Sequence, residues 1–305
     1  MNEFDVLVVG GGAAGLTAAL VLLRARRTVA VIDAGSPRNA PAAEMHGFLS
    51  RDGMPPAELI AAGRAEVAGY GGTLIDDTVT SLEPGFRARL ASGVEFRARR
   101  ILVATGLRDE VPDVPGVRER WGRDVLHCPY CHGYEVRDQP LGVLGGSAEA
   151  VQHALLIRQW SADVVLFEHT DTLDADQREL LAARAVRVIE GRVARLTVEN
   201  DRLHGVELAD GTVLTRSAVF VRPRFVPNSS LLSELGCAAD ENGWVTSDTT
   251  GRTTVPGVRV AGNAADPRAQ VITAAGQGSA AAIAIHAELV EDDVRDALTA
   301  HRTAR

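Results

Sequence analysis

The sequence predicts an α/β protein built on two dinucleotide-binding, Rossmann-like domains. Three observations carry that expectation. A strand, glycine turn, helix and strand open the chain. A second unit of the same plan starts at Leu141. Near the end, a strand closing on Ala261-Gly262-Asn263 precedes a long Ala-rich helix.

The first unit is the more complete. Val6-Leu7-Val8-Val9 is a continuous apolar run, as in a parallel strand buried on both faces. Gly10-Gly11-Gly12-Ala13-Ala14-Gly15 follows at once, then a helix from Leu16 to Arg26 and a strand ending on Asp33. Gly10 makes the turn, Gly12 admits a pyrophosphate to the backbone, and Gly15 lets helix and strand pack closely. The helix N-terminus offers N–H groups and partial positive charge to phosphates. Asp33 stands 23 positions after Gly10, where a carboxylate can accept from ribose hydroxyls. A turn with one basic residue, Arg38, comes next, and then a loop carrying His46, whose bland reading is a surface histidine. A helix is expected over Pro56–Gly69 and a hairpin around Ala91-Ser92-Gly93. A buried strand then closes on Ala104-Thr105-Gly106.

Val111-Pro112-Asp113-Val114-Pro115-Gly116 reads as a boundary. Beyond it the first plan repeats with losses. Leu141–Leu144 is a strand, Gly145-Gly146-Ser147-Ala148-Glu149-Ala150 the turn, and Asp163–Phe167 a strand ending on Glu168, again 23 positions on. Ser147 replaces the glycine that admits a pyrophosphate, and Glu168 would repel a 2′-phosphate. NADPH is disfavoured. Loss of the ligand with retention of the fold, and weak NADH binding, stand as equal readings. The lone Cys237 reads as a small buried residue.

Composition narrows the function. The 305 residues are 46% hydrophobic with a net charge of −8. That balance argues against nucleic acid and anionic membranes. No apolar run is long enough for a membrane span. The first residues lack the basic stretch of a signal peptide, and three cysteines form no secreted framework. A cytoplasmic location is expected.

Two of the three cysteines meet in His127-Cys128-Pro129-Tyr130-Cys131-His132. Such a pair can hold a disulfide or release two thiols. The c-type haem pattern matches Cys128-x-x-Cys131-His132, but that chemistry belongs outside the cytoplasm. A zinc site would have to crowd Cys128, Cys131 and both flanking histidines onto one short segment. The redox reading gives each residue a role. His132, with an ordinary pKa of about 6.5, is the candidate base for a thiol proton, with His127 the weaker candidate. The bland reading of His132 is a structural cap or a surface residue.

Taken in order, Gly10-x-Gly12-x-x-Gly15, Ala104-Thr105-Gly106, Cys128-x-x-Cys131, the second glycine turn, Ala261-Gly262-Asn263 and Gln270-Val271-Ile272-Thr273-Ala274-Ala275-Gly276 resemble the low-molecular-weight thioredoxin reductases over essentially the whole chain. The resemblance implies a discontinuous FAD domain, residues 1–112 and 243–305. An NAD(P)H-like domain that carries the cysteine pair, residues 113–242, is inserted between its parts. It also implies a homodimer. The expected FAD set is Gly10, Gly12, Ala14, Gly15, Asp33, Arg38, His46, Ala104, Thr105, Gly106, Gly262, Asn263, Gln270 and Val271. Three departures stand out. Asn263 replaces the family's usual Asp. The NADPH determinants are missing, Arg222-Pro223-Arg224 standing where the family closes its second domain with glycines. His132 takes the place of an acidic residue.

Cys128-Pro129-Tyr130-Cys131-His132-Gly133-Tyr134-Glu135 looks like a side branch, the FAD-dependent dithiol oxidases that close disulfides in microbial products such as gliotoxin and holomycin. That branch implies a small-molecule dithiol as substrate and O2 as acceptor, giving H2O2. Cys128 is attacked by the substrate and Cys131 is the flavin-side thiol. The alternatives are an NAD(P)H-dependent reductase of a thioredoxin-like protein and a flavin-binding redox sensor without turnover.

Overall fold

The computed structural model describes residues 2–304. The chain divides into two compact units. One holds Met1–Ala40, Pro56–Arg108 and Phe225–Arg305, the other Pro41–Pro55 and Asp109–Arg224.

The first unit begins with β1 (Asn2–Val9), α1 (Ala13–Arg24) and β2 (Val29–Asp33). Val6 and Val8 enter one apolar layer, Leu7 and Val9 the other. Burial on both faces is why the run is apolar without alternation. Next come α2 (Pro56–Gly69), β3 (Thr73–Asp76) and an antiparallel meander of β4 (Val79–Glu83), β5 (Arg87–Leu90) and β6 (Glu95–Val103). The sheet order is β3-β2-β1-β6-β5-β4. β6 is long enough to serve twice. Its first half pairs with β5, and Ile101–Val103 is left for a strand that arrives much later.

After β7 (Leu107–Glu110), the second unit holds β8 (Val125–Leu126), α3 (Pro129–His132), β9 (Leu141–Leu144), α4 (Ala148–Ile157), β10 (Val164–Phe167), α5 (Ala175–Ala183) and β11 (Arg187–Ile189). β12 (Val193–Glu199), β13 (Arg202–Leu208) and β14 (Val213–Thr215) form an antiparallel sheet. With β15 (Ala218–Val221), the parallel sheet reads β11-β10-β9-β15-β8. Every residue of β9, β10 and β15 is buried. Both layers of this unit are apolar clusters of their own.

The chain returns through β16 (Arg224–Pro227) and α6 (Ser230–Glu234). Leu231, Leu232 and Cys237 join the apolar cluster around β6, so this stretch packs with the first unit before residue 243. β17 (Val258–Val260) then takes the open half of β6. The discontinuous domain is thus made by one sheet that accepts strands from both ends of the sequence. α7 runs from Val271 to Thr303. From the sequence this helix is expected to run to about Leu289, with the tail after Glu291 a charged, amphipathic helix or a frayed end. The helix continues because nothing there breaks it and ion pairs fasten it. Arg100 reaches Glu288 at 3.1 Å and Asp292 at 2.6 Å, and Arg27 and Arg99 each reach Asp293 at 2.7 Å. Among the described residues no helix is long and apolar enough to cross a membrane.

Candidate active site and cofactor cradle

In the first unit the three motif glycines separate into two kinds. A Cβ on Gly10 would lie 2.4 Å from the Ala104 carbonyl oxygen, and φ there is +105°. A Cβ on Gly15 would lie 1.9 Å from the Gly10 oxygen. These two are required by the protein's own packing. A Cβ on Gly12 would meet nothing within 4 Å, and φ is an ordinary −78°. The fold makes no demand for glycine at that position. Open space there, against a helix N-terminus with no side-chain cap and no acid in its first turn, fits a pyrophosphate. Asp33 is fixed beside it, its Oδ1 accepting from the Gly11 N–H at 3.0 Å.

The later segments of the expected FAD set are held by their own bonds. Thr105 Oγ1 donates to the Asn228 carbonyl at 2.8 Å, and Asn228 Nδ2 donates back to the Thr105 carbonyl at 2.9 Å. Gly262 N donates to Gln277 Oε1 at 3.0 Å, and Gln277 Nε2 donates to Asp266 Oδ2 at 3.2 Å. Asn263 donates to the Asp266 and Ala269 carbonyls at 2.9 and 3.0 Å. Its Oδ1 is 3.4 Å from Arg38 Nη1. Ala14 is buried against Gly262 and Gly278. A Cβ on Gly278 would lie 2.1 Å from the Ala14 oxygen, which lets α1 and α7 approach closely. The α7 N-cap, Gln270, makes no side-chain capping bond, and no acid lies in the first turn of that helix either. Asn228, Asp266 and Gln277 escaped the sequence reading because each acts by pairing across distant positions.

The second unit treats the same position differently. Ser147 caps α4, its Oγ accepting from Ala150 N at 3.3 Å and donating to Glu149 Oε2 at 2.9 Å. The Glu149 carboxyl is held below its usual pKa, first by its own backbone N–H and then by Ser147. A side-chain anion therefore already sits on this helix end. Gly146 N donates to Asp171 Oδ2 at 3.0 Å, the counterpart of Gly11 and Asp33. Glu168, expected to face a nucleotide, is 5% exposed and turned inward. It accepts from Leu173 N at 3.1 Å and pairs with Arg178. Its desolvated carboxylate needs that cation, and Arg178 lies too far along the chain to be read as its partner.

The same unit carries the redox turn. Cys128 is the N-cap of α3, and Pro129 occupies the position where a missing N–H costs nothing. One helical turn brings Cys131 back over Cys128, and a disulfide joins them with Cα atoms 5.2 Å apart. Both residues are partly exposed. Beneath them, His153 of α4 donates from Nε2 to the His127 carbonyl at 2.9 Å. His127 Nδ1 donates to the Val221 carbonyl at 3.2 Å. Burial, with His127 and Arg222 nearby, pushes His153 down to about 4. His132 is also lowered from the ordinary histidine value. Burial is the main cause, opposed by Glu135 and aided by His46. A neutral imidazole next to the disulfide can accept a thiol proton. His46 lies in this unit, within the loop 41–55, and not with the other residues of the expected FAD set.

Comparison with known proteins extends this geometry. The family model for pyridine nucleotide-disulphide oxidoreductases matches residues 4–278. The chain is similar to thioredoxin reductase sirT of Leptosphaeria maculans, at 31% identity over 95% of this chain and 96% of that one. It is equally similar to thioredoxin reductase aclD of Aspergillus oryzae, at 31% identity over 95% and 98%. The crystal structure of HlmI superposes with a TM-score of 0.97, at 58% identity over 99% of this chain and 98% of that one.

Proposed function

The chain belongs to the pyridine nucleotide-disulphide oxidoreductase family, as an FAD-dependent thiol–disulfide oxidoreductase, and we propose that it works in the oxidising direction, closing a disulfide in a small-molecule dithiol. The observation that carries this reading is the side-chain cap on α4. The redox disulfide is intact, yet the helix end where a pyridine nucleotide would place its pyrophosphate is held by Ser147 and Glu149. On this reading electrons enter from a thiol.

His132 takes the proton from the first substrate thiol, whose S–H bond breaks. The thiolate bonds to Cys128 Sγ as the Cys128–Cys131 bond breaks, and Cys131 leaves with the electron pair. The second substrate thiol displaces Cys128, its proton passing to the departing Cys128 thiolate, and this closes the product disulfide and leaves both cysteines reduced. The Gly10–Gly15 turn, Asp33, the Thr105–Asn228 pair, Gly262 and the start of α7 would hold FAD, which would supply a two-electron acceptor for the reduced pair, with O2 as the final acceptor giving H2O2. The open turn at Gly12 keeps room for its pyrophosphate.

The purified yellow protein tests the reading under anaerobic conditions. Dithiothreitol is expected to bleach the flavin rapidly, with NADPH and NADH leaving it oxidised. Rapid bleaching by NADPH would sink the proposal. It would favour the second reading, reduction of a thioredoxin-like protein, which the names of the sirT and aclD relatives support. A Cys131→Ser variant is expected to lose dithiol oxidation, and one that kept the original rate would refute the assigned roles.

A further inference from the structure

The loop from Met45 to Met54 brings a histidine to the redox turn from a distant part of the sequence. Met45 is 5% exposed and pairs with Met54, its N–H donating to the Met54 carbonyl at 3.0 Å. Gly47 N donates to Asp52 Oδ1 at 2.8 Å, which closes the loop around the His46 ring. Three carboxylates surround that ring. Asp52 Oδ2 is 3.4 Å from Nδ1, while Glu135 Oε1 and Glu44 Oε2 lie 3.4 and 3.7 Å from Nε2. Nε2 is itself buried and closes no aligned hydrogen bond. A buried polar atom left in that state calls for a reason. Glu135 stands three residues beyond His132 on the turn that continues α3, the spacing that puts two side chains on one face.

We propose that Glu135 and His46 are positioning residues for the base at the redox turn, Glu135 steadying the protonated His132 imidazole and His46, seated by the loop against Glu135, offsetting that carboxylate. The inference rests on the dithiol oxidase reading and names two further residues that its proton-transfer step requires. In that step the thiol proton moves to the His132 imidazole as the substrate sulfur bonds to Cys128. The charged groups that act on His132 are Glu135 on its own turn and His46 on the loop. Those facing His46 are Glu44, Asp52 and Glu135. Glu135 favours protonated His132 and His46 opposes it. The two residues therefore shift the base in opposite directions.

That opposition sets the test. Flavin bleaching of the holoenzyme by dithiothreitol is followed by anaerobic stopped flow from pH 5.5 to 9. Glu135→Gln is expected to move the acid limb of the profile to lower pH and His46→Gln to move it higher. Both are expected to lower the plateau by on the order of tenfold, less than loss of the base itself. Glu135→Asp is expected to restore most of the wild-type profile. Variants that keep the wild-type limb, or that shift it the same way, overturn the proposal. If His46→Gln lowers the flavin content, Glu135→Gln decides alone, since that side chain is 39% exposed. Should wild-type flavin bleach with NADPH and not with dithiothreitol, the oxidase reading fails. The same opposed shifts are then sought in NADPH-driven reduction of Ellman's reagent, and their presence or absence decides the positioning role by itself.

Discussion

α1 and α4 start from the same supersecondary plan and end in opposite states. Each follows a buried parallel strand and a glycine turn, and each turn has a backbone N–H held by a carboxylate, Gly11 by Asp33 and Gly146 by Asp171. The difference lies at the helix N-terminus. At α1 it is left to a glycine with open space beside it. At α4 it is satisfied by Ser147 and faced by Glu149. A helix N-terminus left unsatisfied by the protein suits a phosphate better than one already capped and faced by a carboxylate. The second difference is in what the helices bury. The buried side of α1 is entirely Ala, Leu and Gly, whereas α4 buries His153 to support the redox turn.

The largest effect is expected within the first turn. Gly15→Ala drives a methyl group to 1.9 Å from the Gly10 oxygen, and should cost on the order of 4 kcal/mol of stability, since neither backbone segment can yield. Gly12→Ala should cost under about 1 kcal/mol in the cofactor-free protein while sharply reducing the flavin retained on purification. Thermal unfolding of the cofactor-free variants, set beside their absorbance near 450 nm after purification, separates the two roles. Equal stability losses at Gly12 and Gly15 would break the distinction between a folding glycine and a cofactor glycine.

The contrast between these regions also marks what sequence could convey. The strand, turn and helix at residues 6–33 were legible because all their determinants are local: an apolar run, glycine spacing and an acid at a fixed distance. The Cys128–Cys131 pair was legible for the same reason. The inward turn of Glu168 was not, because its partner Arg178 comes from the next helix. Nor was the meeting of His46 with Glu135, which depends on a loop distant in sequence from the cysteine pair. The Thr105–Asn228 exchange joins two strand ends separated by the long segment Asp109–Arg224 of the second unit. Such contacts have no period and no fixed spacing, so only the assembled fold reveals them.

The buried imidazole of α4 gives the next effect in size. His153 is 4% exposed and its folded pKa is about 4, against about 6.5 unfolded. Between those values the unfolded chain binds more protons. Stability from this group is therefore complete above about pH 6.5 and is lost as pH falls toward 4, by up to about 3 kcal/mol. His153→Gln keeps a donor for the His127 carbonyl and cannot titrate. Thermal unfolding from pH 4 to 7 should show a shallower loss in this variant than in wild type. Parallel curves would show that α4, like α1, contributes only packing there.

The smallest effect reopens the closed helix end. Ser147→Gly with Glu149→Gln removes the cap and the anion from α4, making it resemble α1. The lost cap should cost about 1 kcal/mol of stability. The more informative readout is whether NADH now bleaches the flavin, even slowly, under anaerobic conditions. Bleaching that appears only in the double variant would identify the cap as the barrier to a pyridine nucleotide. If the variant unfolds at a lower temperature but still ignores NADH, the barrier lies further along the site. Arg222-Pro223-Arg224 would then be the next segment to exchange, since Arg222 already acts on Glu149 and His153 electrostatically. Either result keeps the two helices distinct, because α1 already has an uncapped N-terminus with open space beside Gly12.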